Sequence, residues 1–360
     1  MFNARRTGTL LPASSAPTSE GIRVATIGDV AREAGVARST VSAVLTGRKL
    51  VMPDTRARVE AAIAKLNYSV NSGARALATN RTMNLGLVVR FHEAEFSPAL
   101  ATYIVAVTDA ARVHGYGVLL LTEADGTAAI RSALAARQVD GLVLMSVVQD
   151  DPRIAPIAAA RFPAVLVGMP RESHGIDAVD LDFVAGARML VDHLVDAGHR
   201  EAIFLTWPEE IFRSGRTYAE RFRDSTLDEA KRRGLRLEEI ACPTGPDLVR
   251  EALRDALSRA DAPQALLVHN DAAVAMLPMV LHELDLHVPR DRSVVSLHSA
   301  ELGRLYALPF TAVESEPERV SNLAVEMLVR RIADPGNGAA VSTLVAPRLT
   351  RRDSVQRLVD

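Results

Sequence analysis

From residue 85 onward, short apolar runs alternate with amphipathic stretches of helical period, and this alternation restricts the fold more than any other feature of the chain. The runs cover 85–89, 118–121, 141–145, 164–167, 202–205, 265–268 and 294–297 and are rich in Val, Ile and Leu. Their length and composition predict strands, buried on both faces because apolar and polar residues do not alternate. Ala-rich stretches such as 100–113, 184–195 and 271–284 lie between them and predict helices. Glycine turns at His114-Gly115-Tyr116 and Ala197-Gly198-His199 end two helices just before the next strand. Helices that connect buried strands imply parallel sheets covered on both faces. Roughly 270 residues of this pattern exceed one sheet and predict two similar α/β lobes. Ligands of such sheets bind beyond the C-terminal ends of the strands, which here means between the lobes.

The first part of the 360-residue chain has a different character. Residues 1–22 are rich in Ser, Thr, Pro and Ala and read as a disordered arm. Thr26-Ile27-Gly28-Asp29 has the form of a capping box, and Ile27, Val30, Ala31 and Ala34 follow at helical spacing. Gly35 ends that helix and allows a tight turn. A second helix is predicted over 38–45, with Val41, Val44 and Leu45 inward. A third is predicted over 53–66, begun by Pro53 and lined by Val59, Ala62, Ile63 and Leu66. Three short helices with a glycine turn between the first two make an α-helical helix-turn-helix. We bound this head at 23–69, a linker at 70–82 and the two-lobed body at 83–360.

Charge divides the chain at the same place. Residues 1–82 carry 12 Lys/Arg against 5 Asp/Glu, a balance of +7, whereas residues 83–360 carry 30 against 39, a balance of −9. A basic head on an acidic body points to a polyanion met by the head alone, although a solvated basic surface gives the same count. A helix-turn-helix sets the start of its second helix against base edges in the major groove. Arg38 can bond a guanine edge with two N–H groups, and Ser39 can donate or accept at a base. Thr40 and Ser42 suit phosphates, which position the head without reading sequence. The same polar residues would also serve to solvate an exposed helix.

The stretch 26–86, TIGDVAREAGVARSTVSAVLTGRKLVMPDTRARVEAAIAKLNYSVNSGARALATNRTMNLG, resembles the head, third helix and hinge of the LacI/GalR repressor family without a gap. GHREAIFL, HNDAAVAM, VPRDRSVVSL and PRLTRRDS continue the resemblance toward the C-terminus. It implies a hinge helix over 71–78 that orders on DNA, with Leu77 wedged into the minor groove at the operator centre. A helix of that length containing Gly73 is marginal alone, and an apolar wedge can kink a base step. A plain linker-to-core contact is the alternative for Leu77. Thr26, Asn71 and Arg75 join the DNA contacts that the resemblance implies. The family often has arginine where this chain has Ala43, and asparagine where it has Thr46. These departures put a base contact and a backbone contact in doubt, with Arg38, Arg48 or Lys49 as candidates to compensate.

The body, by the same resemblance, is a periplasmic-binding-protein-like sensor domain. Phe96, Asp182, Asn270 and Asp271 match effector-contacting positions between its lobes. Carboxylates and amides at strand ends suit hydroxyl-rich ligands, since each can form paired hydrogen bonds. Asp271 also reads as the N-cap of the helix after it, with Asn270 turned to the ligand, and Phe96 reads equally as core. Where the family commonly has Gly-Phe-Asp-Asp, this chain has Ser296-Leu297-His298-Ser299. Tyr218, with Arg216 two residues before it, stands where an arginine is expected. His298 in place of an aspartate points to an anionic or phosphorylated ligand.

Other functions find little support. No run approaches the roughly 18 apolar residues of a membrane helix, and the N-terminus lacks the apolar core of an export signal, so a cytoplasmic protein is expected. Cys242, the only cysteine, has no internal disulfide partner and reads as a loop residue beside Pro243. His269, His282, His287 and His298 match no metal spacing, and the sequence holds no nucleophile elbow, Gly-rich phosphate loop or Cys-x-x-Cys. No enzyme activity, metal or cofactor is expected; a sugar-processing enzyme on a related fold leaves the basic head unexplained. The expected protein is a homodimer on a near-palindromic double-stranded DNA operator, with a small-molecule effector, a sugar or sugar derivative, between its lobes. The resemblance implies repression, and the stretch after Asp353 is too short for a tetramer-forming helix. A small-molecule binder with a vestigial head is the competing reading.

Overall fold

The computed structural model describes residues 25–46, 51–68, 81–90, 98–122, 127–243, 245–305, 309–336 and 338–358. The expected arm over 1–22 and the hinge helix over 71–78 lie outside them. Backbone contacts divide the chain into two units, Met1–Asn80 and Arg81–Asp360.

The first unit holds α1 (Ile27–Ala34), α2 (Arg38–Thr46) and α3 (Pro53–Lys65). Thr26 caps α1 reciprocally: the Asp29 N–H donates to Oγ1 at 3.3 Å, and the Thr26 N–H donates to Asp29 Oδ2 at 3.0 Å. Those bonds hold the Asp29 carboxyl down to about 2. Gly35 ends α1 at φ 63°, ψ 40°, a left-handed conformation that costs residues with a Cβ, and its N–H closes onto the Ala31 and Arg32 carbonyls. Helices this short are marginal in isolation. Here they share one apolar centre, with Val30, Val41 and Val59 fully buried and Ala31, Ala34, Val44 and Ala62 around them.

The second unit contains two six-stranded sheets. One is built from β1 (Asn84–Val88), β2 (Gly117–Leu121), β3 (Gly141–Leu144), β4 (Ala164–Val167), β5 (Asp177–Leu181) and β11 (Ser342–Val345). Their order is β11-β5-β4-β3-β1-β2, and every pair is parallel. The other comprises β6 (Glu201–Thr206), β7 (Arg236–Ala241), β8 (Ala265–Val268), β9 (Ser293–His298), β10 (Thr311–Glu314) and β12 (Arg348–Thr350), in the order β12-β10-β9-β8-β6-β7. The expectation of parallel sheets is corrected at one edge, where β12 runs antiparallel to β10. The chain reaches β12 from the other lobe, not through the helical crossover that parallel pairing requires.

Both faces of each sheet are covered. In the first lobe Leu85, Leu87, Val143 and Val165 pack with Val107 and Leu328 from the helices Pro98–Val113 and Pro317–Ala333. Leu142, Leu144 and Leu166 pack with Ile130, Ile154 and Ile157 on the opposite side. In the second lobe Phe204, Leu267 and Val295 meet Leu190, Leu194 and Phe222, while Ile203, Leu266 and Val294 meet Leu253, Val274 and Leu277. Cys242 follows β7 as a loop residue beside Pro243, as expected, yet it is fully buried in this last cluster, and burial pushes its thiol up to about 12. Among the described residues the chain passes between lobes after β5, after β10 and between β11 and β12. No described helix is long and apolar enough to cross a membrane.

Candidate functional site

On the head, the start of α2 stands clear of the apolar centre. Arg38 and Ser39 are exposed, Thr40 and Ser42 are half-buried, and Val41 between them is fully buried. The Arg38 guanidinium lies across α1 at Gly28, where a Cβ would sit 2.8 Å from Nη2. The absent side chain at Gly28 thus makes the bed for Arg38. Thr26 is exposed, and its hydroxyl is engaged with Asp29 at 2.7 Å. The side chain of Thr46, and Arg48, Asn71, Arg75 and Leu77, lie outside the described residues.

In the body, a cavity of about 130 Å³ lies between the lobes. Its walls come from strand ends, as parallel sheets require. The first lobe contributes residues 145–147 after β3, Gly168 after β4, Asp180 on β5, and Tyr103. The second contributes Trp207 after β6, His269 and Asp271 after β8, His298 at the end of β9, and Thr217 and Tyr218 at the start of the helix Thr217–Arg233.

Residues 145–147 are fixed by Arg153, whose side chain has no exposed surface. Its Nη2 donates to the Met145 carbonyl at 3.0 Å, the Ser146 carbonyl at 3.2 Å and Asp151 Oδ2 at 2.6 Å. Burial raises the Asp151 carboxyl, but the hydrogen bonds and charge of Arg153 outweigh it and leave the group below its ordinary range. The same loop meets the other lobe. Arg216 Nη1 donates to the Ser146 carbonyl at 2.7 Å, Thr217 Oγ1 donates to the Val147 carbonyl at 3.3 Å, and the Gln149 N–H donates to the Gly215 carbonyl at 2.9 Å. Arg216 therefore clasps the lobes together and does not line the cavity, whereas Tyr218 does.

The acidic positions sort in an order the sequence did not suggest. Asp182 caps the helix Phe183–Asp196, accepting from the Ala185 N–H at 3.0 Å, and is not part of the cavity wall. Asp180, two residues earlier, faces the cavity and accepts from Arg221 Nη1 at 2.8 Å. Burial pushes its carboxyl up to about 7 despite that partner. The capping expectation at Asp271 is corrected: Asn270 caps the helix Asp271–Glu283, accepting from the Ala273 N–H at 3.0 Å, while Asp271 lines the cavity. The residue with extended backbone takes the cap, and that is Asn270 at φ −81°, ψ 119°.

His298 lines the cavity with Nδ1 2.9 Å from Ser296 Oγ. Burial, with Arg352 adding to it, holds the imidazole down to about 4, so it carries no charge near pH 7. No Lys or Arg lines the cavity among the described residues. An anion-attracting role for His298 therefore loses its basis. Phe96 lies outside the described residues. Trp207 and His269 were not singled out as ligand residues by sequence, yet each follows a strand by one residue, where the strand-end rule locates ligands.

Residues 26–71 match bacterial regulatory proteins of the lacI family, and residues 191–355 match the periplasmic binding protein-like domain. The HTH-type transcriptional repressor PurR of Edwardsiella ictaluri is 30% identical over 339 residues, which span 92% of this chain and 97% of that protein. The ribose operon repressor of Escherichia coli K12 is 29% identical over 319 residues, 87% of this chain and 94% of that protein. The solved structure of a transcriptional regulator CelR-cellobiose complex has a TM-score of 0.65 and 26% identity, covering 92% of this chain and 99% of that one. Matched through head and body alike, the chain belongs to the LacI family of bacterial regulatory proteins.

Proposed function

We propose that the chain is a sequence-specific transcriptional repressor that binds a near-palindromic operator as a homodimer, its operator affinity set by a small molecule held between the lobes. The relatives similar to it over nearly their whole length are transcriptional repressors, and CelR was solved with cellobiose. The observation that carries the reading is the exposed Arg38-Ser39 start of α2, standing clear of a packed three-helix head. In this reading residues 23–69 bind DNA, 70–82 form the hinge and 83–360 sense the effector. Arg38 and Ser39 read base edges, Thr40 and Ser42 meet phosphates, and Leu77 enters the minor groove. Two heads related by a twofold axis read half-sites about one helical turn apart. The interlobe cavity is regulatory, not catalytic, and the protein works in the cytoplasm, where its operator is.

Selection of bound fragments from sheared genomic DNA, followed by gel shift, tests this. A set of near-palindromic sites should emerge that bind about a thousandfold or more tighter than random duplex. Equal, weak retention of every fragment at physiological salt overturns the reading. Arg38→Ala should cost about 1–3 kcal/mol and relax preference at one base pair. An equal loss on all sequences places Arg38 on phosphate alone.

A further inference from the structure

The second lobe brings to the cavity two buried side chains whose hydrogen-bonding groups meet no partner among the described residues. His269 is 1% exposed, and neither ring nitrogen has a hydrogen-bond partner among the described residues. Trp207 is 5% exposed, and its Nε1–H is likewise without one. The two rings meet edge to face with centroids 6.1 Å apart, and Phe222 lies 4.4 Å from the imidazole centroid, so packing fixes the direction of both. Ser315 Oγ, at the crossing after β10, is also without a partner among the described residues and borders the same cavity. Buried polar groups are almost always satisfied, and convergent orphans in a cavity are the mark of a ligand site.

The chemistry of these groups narrows the ligand. An indole N–H only donates, so Trp207 asks for an acceptor; a neutral imidazole offers one donor and one acceptor. Burial holds His269 down to about 3 and His298 to about 4, so neither supplies positive charge near pH 7. Asp180 and Asp271 line the cavity, and among the described residues no Lys or Arg does. A phosphate would meet Asp271 and an Asp180 already paired with Arg221, with no Lys or Arg on the cavity wall among the described residues to receive it. Size narrows the ligand further, because about 130 Å³ is close to the roughly 150 Å³ that accommodates a single benzene ring.

We propose that Trp207 and His269 form a specificity shelf that selects an uncharged, single-ring molecule bearing an acceptor beside a donor, such as a monosaccharide or a pyrimidine, and that rejects phosphate esters. This rests on the interlobe cavity being the effector site.

Trp207 is the only tryptophan in the chain, so its emission reports directly on the shelf. The full chain is titrated with uncharged aldoses, cyclitols and pyrimidines, alongside D-ribose 5-phosphate, uridine monophosphate and cellobiose. At least one uncharged single-ring probe should saturate the signal, the sugar and pyrimidine arms showing which source supplies it, while the phosphate esters and cellobiose leave it unchanged. Calorimetry with that probe should show Trp207→Phe about tenfold weaker, the loss of one hydrogen bond. His269→Leu should weaken it similarly, and His269→Gln, which keeps a donor and an acceptor, should restore much of the binding. Tightest binding by a phosphate ester, or silence from every uncharged probe, overturns the proposal. A probe lost in Asp271→Ala but indifferent to Trp207→Phe overturns the shelf and leaves the cleft as the effector site. A probe indifferent to both places its site elsewhere and removes the cleft reading too.

Discussion

Arg153 never reaches the cavity, yet it holds the loop that forms one wall of it. Its pairing with Asp151 is fully buried, so removing one partner leaves an uncompensated charge in a medium that cannot solvate it. Arg153→Met should therefore cost about 3–5 kcal/mol in urea unfolding, and Arg153→Met with Asp151→Leu should recover most of that. A single-variant cost below about 1 kcal/mol would mean the pair is solvated in practice. The cavity carries a second, pH-dependent pair of groups with opposite signs. Asp180 has a folded value of about 7, above its unfolded value near 3.8, so the folded state holds the extra proton. Its contribution is greatest below the unfolded value and is lost as pH rises toward about 7. His269 is held at about 3, below its unfolded value near 6.5, so its contribution is present above 6.5 and is lost as pH falls toward about 3. Between roughly pH 4 and 6.5 the two slopes oppose each other. Asp180→Asn removes one of them, and stability measured by denaturant at a series of pH values should then fall on acidification by up to about 1.4 kcal/mol per unit more steeply than in the wild type. Parallel curves would show that Asp180 is ionised throughout that range.

Among the elements, α1 and α2 are coupled through a single glycine. Gly28 is helical and buried, and the three atoms nearest a Cβ there all belong to the guanidinium end of Arg38. Gly28→Ala should leave the melting temperature unchanged or raise it, since alanine favours a helix over glycine by about 1 kcal/mol. It should also move the guanidinium and alter the base preference assigned to Arg38. A thermal melt and a gel shift with mismatched operators check this, and an unchanged preference would separate Arg38 from base reading. The head was legible in the sequence because its signals are local: a capping box, a glycine stop and apolar spacing all act within one turn. In the body, the runs that became β4 and β8 were equally plain, while β5 (DAVDL) and β7 (RLEEIA) were not. Asp177 and Asp180 sit buried in β5 only because Arg331 and Arg221 reach them from helices far along the chain. No local pattern announces such partners. The cavity residues divide in the same way. Trp207 and His269 could have been found by counting past a strand end, whereas the choice between Asn270 and Asp271 as the cap depends on a single extended backbone conformation.

At the scale of the whole sensor unit, the three chain crossings among the described residues join the lobes, and non-covalent clasps determine how far they part. Arg216 is one clasp, through the Ser146 carbonyl at 2.7 Å, and Arg221 with Asp180 is another at 2.8 Å. Both lie beside the cavity, so the energy that closes the lobes is the energy a ligand must share. A hydrogen bond to a charged donor contributes about 1.5–3 kcal/mol, enough to shift an open–closed equilibrium by roughly ten- to a hundredfold. Arg216→Ala should therefore loosen the ligand-free protein in a way that needs no knowledge of the effector. Trp207, 5% exposed in this structure, should become accessible to acrylamide, and its quenching constant should rise while the melting temperature of the head stays where it was. The radius of gyration from solution scattering should increase in step with the quenching. If quenching rises without any change in scattering, Arg216 orders only the loop at 145–147; if neither changes, the lobes are held together by the crossings alone, and a ligand would have to act on the hinges by some route other than closing the cleft.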